Sequence, residues 1–188
     1  MSLVRSLFIS TLAAFVALPA LAQQKLLPAQ SEIVFVSKQM GVPVEGRFKK
    51  FDAQIAFDPA KLAASKIAFT VDTGSASLGV PEADEELPKP VWFNVKGFPQ
   101  ATFQSSGFKA LGGGKYEVAG KLAIKGRSQD VVVPVALTQA GGVTTAVGTF
   151  TIKRLVFAIG ENQWSDTSMV ADEVQVRFKL ALSGVGKL

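Results

Sequence analysis

The chain has 188 residues, a formal net charge of +5, and neither histidine nor cysteine. Those two absences remove the Ser-His-Asp triad, the cysteine nucleophile, the disulfide and the histidine-based zinc site. The basic residues are spread along the chain, not clustered, which argues against nucleic acid as a partner.

Arg5 is the single charge before Lys25, and Leu7 to Leu18 is almost wholly apolar. Ala20-Leu21-Ala22 then supplies a small-x-small site. A charged start, an apolar run and a cleavage pattern define a signal peptide. The apolar run falls short of the ~20 residues a membrane span needs. With no cysteine after the cleavage site, a lipoprotein anchor is excluded. The expectation is therefore a cleaved 1–22 signal peptide and a 23–188 barrel domain exported to the periplasm. A chain of that size can enclose a sizeable core, and without disulfides its stability must come from the sheet and its interior.

Ser31 to Val36 reads as a strand with Ile33 and Phe35 on one face. From Gly41 to Pro59 two alternating rows follow. Val42, Val44, Gly46 and Phe48 share one parity, and Phe51, Ala53, Ile55 and Phe57 share the other. The switch at Lys49-Lys50 predicts a bulge in one long, bent strand, as a closed or strongly coiled sheet requires. Asp58-Pro59 opens a short helical turn. Ile67, Phe69 and Val71 mark the next strand.

Pro81 to Leu87 carries acids near its start and stops at Pro88, as a short helix would. Trp92, Phe93 and Phe98 follow in a loop, and large loop aromatics need a place to bury, such as one end of a barrel. Strands resume over Ala101–Ser105, turn at Gly112-Gly113-Gly114, and continue over Tyr116–Lys125. Val131, Val133, Val135 and Leu137 share a face of another strand. Pro134 on its far side points to an edge, a bulge or a seam. Gly141-Gly142 makes a hairpin turn. Phe150 and Ile152 alternate, the parity flips after Arg154 to Leu155, Phe157 and Ile159, and Val174 to Ser183 alternates most cleanly of all.

The sum is an all-β fold: about eight antiparallel strands in a lipocalin-like barrel, with a short helix-containing loop over one end. Such a barrel either fills with side chains or holds a small ligand, and alternation alone does not choose. Catalytic readings are weak, and we expect no enzyme. Asp84, Glu85 and Glu86 are consecutive and do not face one another on a helix. Asp166 sits in a loop, Ser105-Ser106 has no base, and Gly112 to Lys115 lacks phosphate-loop spacing. No metal site and no cofactor are expected. Apolar interior surface, in contrast, can hold a lipid chain without any motif, at about 0.8 kcal/mol per buried methylene.

Several blocks in this order resemble the YceI-like family of exported proteins. They are Gly46-x-Phe48-x-x-Phe51-x-Ala53-x-Ile55-x-Phe57-Asp58, Val71-Asp72-Thr73, Asp84-x-x-Leu87, Trp92-Phe93, Phe98-Pro99-Gln100-Ala101-Thr102-Phe103-x-Ser105, Gly120-x-Leu122-x-Ile124-x-Gly126 and Ile152-x-Arg154-x-x-Phe157-x-Ile159-Gly160. The resemblance covers essentially all of 23–188. It implies a lipocalin-like barrel that encloses a polyisoprenoid, an isoprenoid quinone or a fatty amide as carrier or store. It also implies, as in some relatives, a homodimer, while the net positive charge suits a weak, transient contact with an anionic membrane surface.

On that basis the expected tunnel and mouth comprise Phe35, Met40, Val44, Phe48, Phe57, Phe69, Leu87, Trp92, Phe93, Phe103, Leu122, Phe150, Phe157 and Phe178. Trp92 and Phe93 are the expected lid, and Trp164 is a further candidate for closing a barrel end. The family's histidines are replaced here by Ser31 and Gln39, and its loop motif is reduced to Ala83-Asp84-Glu85-Glu86-Leu87. A head group would then meet Gln39, Ser37 or Arg154, and a neutral one is expected over a pyrophosphate. The competing expectation is a filled barrel acting as an envelope interaction or stress module without lipid.

Overall fold

The computed structural model describes residues 24–188; the expected signal peptide lies outside the described residues. The strands are β1 (Lys25–Leu26), β2 (Glu32–Gln39), β3 (Val42–Phe48), β4 (Phe51–Ala56), β5 (Lys66–Asp72), β6 (Ala76–Ser77), β7 (Gln100–Gly112), β8 (Lys115–Ile124), β9 (Arg127–Ala140), β10 (Val143–Lys153) and β11 (Glu173–Ser183). One α-helix, α1 (Pro81–Glu86), interrupts them. All the pairings are antiparallel, in the order β4-β5-β7-β8-β9-β10-β11-β2-β3, and β3 runs on into β4 to close the ring. The barrel thus has eight staves, one of them the long strand of β3 and β4. Short β1 completes the closure at the lower end, pairing Leu26 with Leu182 and Lys25 with Gln54.

The corner between β3 and β4 falls at Lys49-Lys50, where the alternation switches. Ser75 pins it from the side. Its carbonyl accepts from Lys49 N–H at 3.1 Å and its hydroxyl accepts from Lys50 N–H at 3.0 Å. Lys50 in turn accepts from Asp72 N–H at 3.0 Å. The backbone groups freed by leaving one ladder are satisfied before the next begins.

Two strands run further than their alternation suggests. In β7 the register shifts between Ser105 and Gly107, so the inward parity passes from Phe103 to Phe108. In β9, Pro134 sits beside the point where pairing with β10 stops, at Val135 opposite Gly148. Proline lacks the N–H that a continuing ladder would need, so the seam falls there.

The parity flip after Arg154, which suggests a second bulge, is a turn instead. Leu155, Phe157 and Ile159 lie in and after a 3₁₀ turn, Arg154–Phe157, followed by Ala158 in the left-handed region at φ 55°. The cause is Arg154, whose guanidinium gathers carbonyls from the segment that follows and curls it inward.

The strand directions put the β2–β3 hairpin, the 73–99 segment with α1, the β8–β9 turn and the 154–172 segment at one end, called upper here. Those loops form a packed cap around Ala76, Leu87, Phe93, Ala101, Ile124, Phe157 and Ile159.

Candidate functional site

Beneath the cap the barrel encloses a cavity of about 460 Å³. That is within the range of small-ligand pockets. Its wall runs from Trp92, Trp164 and Gln39 above to Leu137, Leu182 and Val185 below. Along β11 the inward row is Val174, Val176, Phe178, Leu180 and Leu182. Eight residue steps along that strand measure roughly 26 Å.

A barrel with so many inward phenylalanines should plug itself. It does not, because three rings lie flat over glycines on the adjoining strand. Phe35 faces Gly46 across β2 and β3, and Phe178 faces Gly148 across β10 and β11. Phe103 lies over Gly120 of β8. A Cβ added at Gly46, Gly120 or Gly148 would come within 2.2, 2.4 or 2.3 Å of the respective ring. The missing side chain is the space the ring occupies, so the ring thickens the wall and leaves the lumen clear.

The polar groups on the wall gather mostly at the upper end. Ser37 and Gln39 come from the end of β2, and Glu86 from α1, where it pairs with Lys89. Trp92 and Trp164 stand beside them with ring centroids 5.5 Å apart. Their two loops are joined where Gly160 and Glu161 N–H donate to the Val91 carbonyl, at 2.8 and 3.1 Å.

Arg154 reaches the wall but offers no free donor. It is 2% exposed. Its Nε donates to Ala171 O at 3.0 Å. Nη1 donates to Ile159 O and Gly160 O at 2.8 and 2.9 Å, and Nη2 to Trp164 O and Val170 O at 2.6 Å each. A guanidinium has five N–H groups, and all five are used. Burial pushes its pKa down, partly offset by Asp172. Arg154 therefore holds the upper loops together. Lys125 does likewise, donating to Ala158 O at 2.6 Å and to Glu161 at 2.9 Å. That contact and charge hold the Glu161 carboxyl below its usual range.

Among the residues singled out from the sequence, Phe35, Gln39, Phe48, Phe57, Phe69, Leu87, Trp92, Phe93, Phe103, Leu122, Phe150, Arg154 and Phe178 all touch the cavity. Three do not. Met40 is 71% exposed at the tip of the β2–β3 hairpin, with φ 48°. Val44 shares the inner face with Ser37 but lies on the upper part of β3, which pairs only with β2. Phe157 is 1% exposed in the cap.

Two of the candidate carboxylates, Asp84 and Asp166, have structural partners. Asp84 accepts from Ser77 Oγ at 2.6 Å and Leu78 N–H at 2.5 Å, and these bonds lower its pKa. Asp166 is bonded to Ser168, through its hydroxyl at 2.7 Å and its N–H at 2.9 Å. Sequence reasoning missed Gly148 and the lower-wall residue Val185. Gly148 shares the parity of Phe150 and Ile152, the one signal that could have flagged it.

A closed antiparallel barrel around an apolar cavity, with polar groups gathered at one end, is a lipocalin-like architecture. The chain belongs to the YceI-like domain family, whose model matches residues 25–182. Among solved structures it is similar to Burkholderia cenocepacia BcnA, with 47% identity, a TM-score of 0.80, and coverage of 83% of this chain and 98% of that one. A polyisoprenoid binding domain from Saccharophagus degradans shares the fold at 15% identity and a TM-score of 0.68, over 86% of this chain and 98% of that one. A UPF0312 protein of Vibrio cholerae is 32% identical over 114 residues, and one of Yersinia pestis 36% over 110. The match spans about 60% of the Vibrio protein and of this chain, and 57% of the Yersinia protein and 58% of this chain.

Proposed function

We propose that this protein holds one long apolar lipid chain, such as a polyisoprenoid, an isoprenoid quinone or a fatty amide, inside its barrel as a periplasmic carrier or store. The observation that carries this reading is the enclosed cavity of about 460 Å³, kept clear by rings parked over glycines. Burying ten methylenes there would contribute roughly 8 kcal/mol before the cost of ordering the chain. The name of the Saccharophagus domain supports the chemistry by analogy.

The head group sits at the upper end, against Ser37, Gln39 and Glu86. It is neutral. Arg154, the cation on the wall, has no donor left for a phosphate, and Glu86 would repel one. A hydroxyl, quinone or amide head meets hydrogen-bond partners there without needing a counter-charge. The mouth meets the membrane through Met40 and Val42, which are 71% and 63% exposed beside it, with Met169 close by. Single exposed apolar groups are ordinary, but three around one opening make a surface suited to lipid.

Native mass spectrometry of the purified protein, with and without a long-chain quinone analogue, tests this. A single-lipid adduct that solvent extraction removes and the analogue restores is the expected result. Protein that arrives empty and takes up nothing contradicts the reading.

A further inference from the structure

Resting on that reading, we propose that the C-terminal tail is a stopper across the lower end of the barrel, and that Gln139 and Val185 set the longest chain the cavity accepts. The inward row on β9 is Val133, Val135 and Leu137. Gln139 is the next residue of that parity and stands opposite Thr144 of β10, itself on the cavity wall. Its side chain therefore points across the barrel end.

There its Nε2 meets Thr144 Oγ1 at 3.0 Å, Val185 O at 3.3 Å and Gly186 O at 3.1 Å. Val185 and Gly186 follow β11, two strands away in the sheet order. The chain turns at Gly184, at φ 75°, and crosses the mouths of β11 and β10 to reach β9. Val185 joins the cavity wall on the way. A neutral amide holding two carbonyls at the surface is a weak fastening. The floor is thus a latch that can be loosened, unlike the adjoining wall, where β9–β10 and β10–β11 are held by strand ladders.

The test measures binding of a graded series of straight-chain fatty amides, read by fluorescence of Trp92 and Trp164. Every two methylenes buried are worth about tenfold in affinity, so affinity climbs with length until the chain meets the floor. Gln139→Ala frees the tail and should extend the climb to longer amides, while shorter ones bind within about twofold of the native protein. Val185→Phe fills the floor without adding a tryptophan and should end the climb earlier. Thermal melts confirm that each variant is folded. A length cut-off that neither substitution moves overturns the stopper and leaves lipid binding standing. No binding of any amide by the native protein overturns both.

Discussion

In the barrel wall, Phe103 and Phe178 each lie over a glycine and border the cavity. In the cap, Phe157 is surrounded by Leu87, Ile124, Ile159 and their neighbours. The residue type is the same, and the two regions bury it for different ends. In the cap a ring is packed on both faces and holds loops in place. In the wall it is packed on one face, and the stability forgone on the other is the vacancy a guest can fill. The hollow is therefore built in pairs, ring against glycine, on strands that need not adjoin in sequence.

The largest effect should come from making the same truncation in both regions. Phe157→Ala should cost about 3–5 kcal/mol, the usual range for a fully packed aromatic. Phe178→Ala should cost clearly less, about 1–2 kcal/mol, because only one face loses contacts. Urea or thermal unfolding of the two variants compares them directly. Equal losses would mean the wall ring is as tightly packed as the cap ring.

Next comes the glycine side of the pair. Gly148→Val should push the Phe178 ring into the lumen and crowd the Pro134 carbonyl, 2.5 Å from the new Cβ, costing about 3 kcal/mol and lowering quinone uptake at least tenfold. Gly107→Ala, with open space where the new Cβ would stand, is the control and should leave uptake unchanged. Uptake preserved in Gly148→Val would show that the ring–glycine pair does not keep the cavity clear.

The mouth sits between the two regions. Trp92→Ala should shorten lipid retention, measured as an off-rate, more than it lowers the melting temperature. The indole borders the cavity and is only half-buried. Parallel losses would assign Trp92 to the cap.

The smallest effect concerns acid. The Ser77 hydroxyl and the Leu78 N–H favour the charged form of Asp84, so its folded pKa lies below 3.8. Its contribution is fully present above that ordinary value and fades as pH falls through the lower folded one. The native cap should therefore loosen in acid only below about pH 4, seen as faster amide exchange in the 73–99 segment. Asp84→Ala should remove that pH dependence and leave the barrel strands unaffected.

Much of this was legible in the sequence. Period-two alternation placed nearly every wall residue on the correct face, and the parity switch at Lys49-Lys50 marked the corner. What alternation cannot report is register between strands. Phe178 and Gly148 are thirty residues apart, and nothing local says that one will lie on the other. Met40 lies off the wall for a related reason: at the hairpin tip Met40 and Gly41 both take positive φ, and the alternation of β2 does not carry through it. Arg154 looked like a free cation because its five acceptors come from scattered backbone carbonyls, which any residue type supplies. The contact of Gln139 with the tail emerges only once Val185 and Gly186 are seen to lie against β9.

The central claim is that an apolar chain lies in the lumen with its head at the upper mouth. The protein has two tryptophans, Trp92 and Trp164, and both border that mouth. Fatty amides brominated either next to the head or at the far end of the chain can be titrated while their fluorescence is followed. Strong quenching by the head-proximal bromine and weak quenching by the distal one is the predicted result. Equal quenching from both positions, or none from either, would contradict it.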